Sequence, residues 1–320
     1  MKTIFFLLCS AVSLHAHDWN VWANVFLWTA RESGSDCWAE VITTQGSASS
    51  NRLEQVNFGW DPGFRAGVGY GMRPGHWDAQ ASYTWFHTRG TDSVSSLAGT
   101  VHSAFLGNFY VDNAQGNGLS GPAYQKAGID WAIRFNMFDW ELGRSFQVGE
   151  ALVLRPFAGA KGGWIHQSIG SRWENPDLTG SFAGSPAYSV GVEKLNNNFW
   201  GIGPQGGVHS EWMLFSGENQ AVCLFGDFSG AMMWGHWSFG DLFSNDASQQ
   251  VAIDFASVNG GASMFRSFMG FGWDWRSVSL KLGYETQFWL DQLQFYSFTA
   301  GRLDNTLTLQ GGTLAFSVDY

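Results

Sequence analysis

Apolar and small or polar residues alternate strictly along this chain, in pieces about as long as a tilted membrane strand. From Asn57 to Tyr70 the even positions are Phe58, Trp60, Pro62, Phe64, Ala66, Val68 and Tyr70, and the odd positions are small or polar. Trp77, Ala79, Ala81, Tyr83 and Trp85 alternate with Asp78, Gln80, Ser82 and Thr84. Ile129, Trp131, Ile133, Phe135 and Met137 alternate with Asp130, Ala132, Arg134 and Asn136. Similar segments occupy 152–164, 200–212, 222–232, 265–273 and 278–287, with others near 20–31 and at the C-terminal end. That makes ten strands, or twelve if residues 182–194 add one with a partner. An alternating chain needs apolar surroundings on one face only, and a closed barrel in a bilayer supplies them without leaving a strand edge in lipid.

Composition agrees. Aromatics make up 17% of the chain and charged residues 14%, with 41 Gly and only 7 Pro. Mean hydropathy is −0.11, and no apolar run after the first residues approaches the ~20 residues of a spanning helix. The fold expected is all-β, a transmembrane antiparallel barrel. Short links near 72–76, 140–150, 213–220 and 274–277 alternate with long ones near 32–55, 86–127, 166–197, 233–262 and 290–305. Outer-membrane barrels sort short periplasmic turns from long outer loops in this way.

The two ends read as export and assembly signals. Residues 1–16 read as a signal peptide: Lys2 is positive, Ile4–Leu8 begin an apolar run and Ala16 is small. Residues 17–320 read as one barrel domain of a protein exported to the bacterial outer membrane. In the last strand Leu314, Phe316, Val318 and Tyr320 share a face. Thr313, Phe316, Val318 and Tyr320 are the expected signal to the barrel-assembly machinery. Trp77, Trp85, Trp164, Trp200, Trp212, Trp273 and Tyr320 are expected in the aromatic girdles. Twelve residues between Trp200 and Trp212 would rise roughly 28 Å in a strand tilted by ~45°.

No catalytic chemistry is legible. HExxH and GxSxG are absent, and the glycines of Gly67–Gly71 lie within a strand pattern. No enzyme activity, metal or cofactor is expected. The net charge of −10 becomes −11 without Lys2, and no basic stripe suggests nucleic acid. Lipid is the expected partner, and a homo-oligomer is compatible with the sequence. Cys37 and Cys223 remain after export, far apart in the chain. Arg65, Asp78, Asp130, Arg134, Arg155, Lys161, Glu211, Arg266, Lys281 and Glu285 fall on expected interior faces. They are either pore-lining residues that tune ion passage or ion pairs that fill the barrel. Interior glycines, including Gly63 and Gly67, favour a channel by leaving space, although they also let a small barrel curve.

Several segments resemble the Legionella-type major outer membrane protein family, pore-forming proteins with members in chlamydia-related bacteria. They include Trp28-Thr29-Ala30-Arg31-Glu32-Ser33-Gly34, Gly59-Trp60-Asp61-Pro62-Gly63-Phe64-Arg65, and Asp139-Trp140-Glu141-Leu142-Gly143-Arg144. Asn198-Phe199-Trp200-Gly201-Ile202-Gly203-Pro204 and Leu282-Gly283-Tyr284-Glu285-Thr286-Gln287-Phe288-Trp289 follow in the same order. The resemblance implies a porin-like barrel passing ions and small solutes. The alternative is a structural or adhesive surface protein whose filled barrel displays long loops.

Overall fold

A computed structural model describes residues 19–33, 37–45, 48–71, 76–96, 100–103, 122–179, 187–297 and 301–320, without the side chains of 45, 253–256, 295–297 and 301–304. The expected signal peptide lies outside the described residues. In chain order the strands are β1 (Trp19–Glu32), β2 (Cys37–Gln45), β3 (Ala48–Gln55), β4 (Asp61–Tyr70), β5 (Trp77–Ser95), β6 (Val101–Ser103) and β7 (Tyr124–Arg144). They continue as β8 (Phe146–Val148), β9 (Leu152–Pro176), β10 (Val190–Ser216), β11 (Gln220–Asn245), β12 (Gln250–Trp275), β13 (Val278–Ser297) and β14 (Gly301–Asp319). Ten of these close an antiparallel barrel in the order β1-β4-β5-β7-β9-β10-β11-β12-β13-β14, with β14 returning to β1. The short β2, β3, β6 and β8 extend the wall at its ends.

The register fixes the barrel's shape. From Phe64, paired residues lead through Trp85, Asn136 and Trp164 to Trp200. The opposite route runs through Val25, Leu314, Leu282, Phe271 and Leu224 to Trp212. Both routes arrive on β10, 12 residues apart (212 − 200). With strand spacing of ~4.8 Å and a rise of ~3.3 Å per residue, ten strands staggered by twelve tilt by about 40° on a radius near 10 Å. Trp200 and Trp212 then sit roughly 30 Å apart along the axis, about the thickness of a bilayer's hydrocarbon core.

Between those levels the outer wall is apolar. Val21, Val25 and Leu27 on β1, Phe228 and Met232 on β11, Phe265, Met269 and Phe271 on β12, and Leu282 on β13 are all exposed. Aromatics bound the band. Trp19, Tyr70, Trp77, Trp212, Trp273 and Tyr320 stand at the short-turn end, and Trp85, Trp164, Trp200 and Trp234 at the other. Every residue expected in the girdles is exposed. In β14, Phe316 and Tyr320 face outward, Val318 is partly exposed, and Thr313 points inward to accept a hydrogen bond from Trp28 Nε1 at 3.1 Å.

The long connections differ from expectation. β9 to β12 run 25 to 27 residues, two to three times what a membrane crossing requires. Most of 233–262 is strand, closed by a turn in which Ser248 has φ of 64°. Residues 190–194 begin β10 and add no separate strand. The walls therefore project well beyond the apolar band, and there the alternation changes face. On β7, Phe138, Trp140 and Leu142 point outward, whereas Ile129, Trp131, Ile133, Phe135 and Met137 are buried inside. On β11, Leu224, Phe228, Met232 and Trp234 are exposed, whereas Trp237, Phe239 and Phe243 are buried. Lipid solvates the apolar face in the band. Beyond it water surrounds the wall, so burial drives the apolar face inward.

Candidate functional site: a charged lumen beneath an aromatic layer

Within the apolar band the interior is polar and tied by ion pairs. Arg65 Nη2 and Nη1 donate to Glu285 at 2.8 and 3.2 Å, and Arg65 Nε donates to Thr84 Oγ1 at 2.8 Å. Arg266 Nε reaches the same Glu285 at 2.6 Å. Arg155 is held by Asp78 at 2.9 Å through Nε and by Glu141 at 3.0 Å through Nη1. Lys161 pairs with Asp139, and Lys281 with Glu211 at 2.6 Å. His209 stacks on Phe157 and places Nδ1 3.0 Å from Asp227 and Nε2 3.2 Å from Glu141, an arrangement that two N–H donors satisfy. Six carboxylates thus face five permanent cations and one imidazole. Many of these pairs join strands that are not neighbours: Arg65 on β4 meets Glu285 on β13, and Lys281 on β13 meets Glu211 on β10. They act as chords across the cylinder.

A cavity of about 400 Å³ remains among these groups, reaching Asp274, Asp319 and Ser279 at the short-turn end. At the opposite end it meets an aromatic layer. The Arg65 guanidinium lies 5.8 Å from the Trp28 ring, and the Lys161 ammonium 6.0 Å from that of Trp289. Phe135 on β7 and Trp289 on β13 stand on opposite walls, five strands apart either way, yet their ring centroids are 5.2 Å apart. Phe26, Trp28 and Phe86 fill one side, and Phe199 and Trp237 the other. Trp28, Trp131 and Trp289 are each 0% exposed. Above them β13 breaks register between Trp289 and Leu293 and buries Gln292. The Gln292 carbonyl accepts from Asn197 Nδ2 at 2.8 Å and Trp237 Nε1 at 3.3 Å.

Eight of the ten expected pore-lining residues meet in this lumen: Arg65, Asp78, Arg155, Lys161, Glu211, Arg266, Lys281 and Glu285. Asp130 and Arg134 do not. They lie beyond the face change on β7, where Asp130 pairs with Arg89 on the exposed outer wall and Arg134 is exposed beside them. Sequence reasoning places His209 and Asp227 opposite the apolar faces of their strands without naming them among the pore-lining residues, and it passes over Asp139 and Glu141. Their signal was available in alternation with Phe138, Trp140, Leu142 and Phe228. At two of the interior glycines, aromatic rings occupy the space that the missing side chain leaves. A Cβ on Gly63 would lie 2.1 Å from the Phe26 ring, and one on Gly67 2.5 Å from the Trp22 ring. Cys37 and Cys223 are free, and Cys223 is buried. Among the described residues no cluster of metal-binding side chains occurs.

By sequence, no curated protein matches the chain. Among solved structures, the outer membrane protease OmpT from Escherichia coli is similar at 8% identity over 97% of this chain and 99% of that one, with a TM-score of 0.49. The toluene transporter TbuX from Ralstonia pickettii is similar at 10% identity, over 96% and 90%, with a TM-score of 0.28. The transport unit of the autotransporter AIDA-I from Escherichia coli is similar at 8% identity, over 98% and 94%, with a TM-score of 0.25. At these levels the likeness assigns none of their activities to this chain. The family described as the Legionella pneumophila major outer membrane protein precursor matches residues 11–320. A ten-strand barrel with a lipid-facing apolar band, matched by that family over nearly its whole length, belongs to the Legionella major outer membrane protein family and is an outer-membrane barrel.

Proposed function

We propose that the protein is a narrow porin-like channel for ions and small solutes, closed in this conformation. The carrying observation is the cavity of about 400 Å³ lined by both signs of charge within the lipid-spanning half. Solutes move down their own gradients, and the paired charges give weak selectivity because each field is largely cancelled by its neighbour. Resistance concentrates in the Phe135–Trp289 layer, where an apolar constriction excludes hydrated ions until its rings part. Recording from the refolded chain in planar bilayers tests this. Brief low-conductance openings are expected, with reversal potentials shifted in folded Arg155→Glu or Lys161→Glu variants.

A second reading is a filled barrel that displays its outer extensions as a structural or adhesive surface. The completely buried Trp28, Trp131 and Trp289 favour it. A correctly folded barrel that stays silent over the whole voltage range would select this reading and reject the channel.

A further inference from the structure

The outer wall just beyond the upper girdle carries a row of side chains that the lumen does not use. His87, Arg134, His166 and Asn198 are direct register partners on four adjacent strands, β5, β7, β9 and β10. All four are exposed. At ~4.8 Å per strand the row is about 14 Å long. Trp85, Trp164 and Trp200 form the parallel row two residues nearer the apolar band, which sets the basic row about 5 Å beyond the interfacial aromatics.

The row's chemistry is that of an anion ledge. Arg134 at its centre has no carboxylate partner among the described residues. The nearby acid, Asp130, is already engaged by Arg89 one row higher. His166 Nδ1 lies 2.8 Å from Asn198 Oδ1 and donates to it, so in that tautomer Nε2 is an acceptor, free to take the P–OH proton of a singly ionised phosphate monoester. A guanidinium between two imidazoles offers forked N–H donors with a hydrogen-bonding group on each side, the geometry that suits phosphate oxygens. Because this end carries the long connections, the ledge faces the outer leaflet.

We propose that His87, Arg134 and His166 form a binding site for the phosphate monoester headgroup of an outer-leaflet glycolipid, with Trp85, Trp164 and Trp200 against its acyl-chain region. This assignment stands independently of the channel. The occupant is a lipid and not a free anion, since the ledge is open to solvent on one side and bounded by the lipid-facing belt on the other.

The test uses the full chain in nanodiscs containing phosphorylated lipid A or the same lipid dephosphorylated, with native mass spectrometry of the lipid retained on the protein. Preferential retention of the phosphorylated form is expected. Arg134→Gln with His166→Gln should lower it about tenfold, the scale of one to two charge-assisted hydrogen bonds, while Arg134→Lys retains part of it. Arg52→Gln, remote on β3, should leave it unchanged. Heat-modifiable gel mobility identifies folded variants, and both substitutions are on the exposed wall. Equal retention of the two lipids, equal retention by the folded double variant, or full displacement by millimolar inorganic phosphate would overturn the assignment.

Discussion

Replacing Glu285 by Gln tests the ion-pair chords at their most buried point. Glu285 is 0% exposed and accepts from Arg65, from Arg266 and from Gln287 Nε2 at 2.9 Å. The amide retains the shape but removes the charge and turns an NH₂ group toward two guanidiniums. At 4 Å and an effective dielectric constant near 20, each attraction is worth about 4 kcal/mol, partly offset by desolvation already incurred in folding. Measured losses on breaking buried pairs are about 3–5 kcal/mol, and we expect that range here because two cations lose one shared partner. The assay is reversible urea unfolding in lipid vesicles, followed by tryptophan fluorescence and gel mobility. Arg52→Gln is the control: the Arg52 side chain is 71% exposed in its pair with Glu54, so its removal should cost at most about 1 kcal/mol. Glu285→Gln combined with Arg65→Gln should cost less than the sum of the single changes, since the pair is removed together. A loss below ~1 kcal/mol for Glu285→Gln, or strict additivity, would refute the view that these chords are strongly coupled.

Three further expectations address other layers. Phe135→Ala with Trp289→Ala should raise bilayer conductance and open probability by removing the contact that spans the lumen; unchanged recordings from folded protein would contradict the constriction. Gly63→Val should impair folding, because its branched side chain enters the space of the Phe26 ring and the Trp85 carbonyl at 2.9 Å; heat-modifiable mobility reads this, and normal yields would contradict the packing. Asp241 lies seven residues beyond Trp234, outside the lipid-spanning band, and burial raises its carboxyl to about 7. A raised carboxyl stabilises the fold when protonated, so stability should fall as pH rises from about 4 through 7. Asp241→Asn should then unfold at a higher temperature than the parent at pH 8 and show no such gain at pH 4, and the opposite ordering would contradict the burial argument.

Most of the fold was legible because lipid and a closed cylinder enforce period two. Alternation up to Tyr70 and from Trp77 to Trp85 located β4 and the first half of β5, although Phe58 lies before β4 and is buried against Trp131, and the spacing of Trp200 and Trp212 equals the barrel's stagger. The misplaced side chains share one cause. Alternation tells which residues share a face but not which face meets lipid. On β7 the apolar set changes parity between Met137 and Phe138, and that single step moved Asp130 and Arg134 from the expected lumen to the outer wall. The clue was the string Phe135-Asn136-Met137-Phe138, where two apolar residues adjoin. The extent of the projecting walls was hidden for a related reason. Polar outer faces such as His166, Ser168, Asn196 and Asn198 look like loops when every strand is assumed to lie in lipid. The long-range partners within the lumen, such as Arg65 with Glu285, depend on barrel closure and have no local sequence signal.

The change of face along β7 can be measured directly by single-cysteine scanning across residues 131–141 in a background lacking Cys37 and Cys223, with labels read by brominated-lipid quenching and by a water-soluble quencher. Labels at Phe138 and Trp140 should be quenched by lipid, a label at Arg134 by the aqueous reagent, and labels at Ile133 and Phe135 by neither. Lipid quenching at Ile133 and Phe135, with Arg134 shielded from both reagents, would contradict the account.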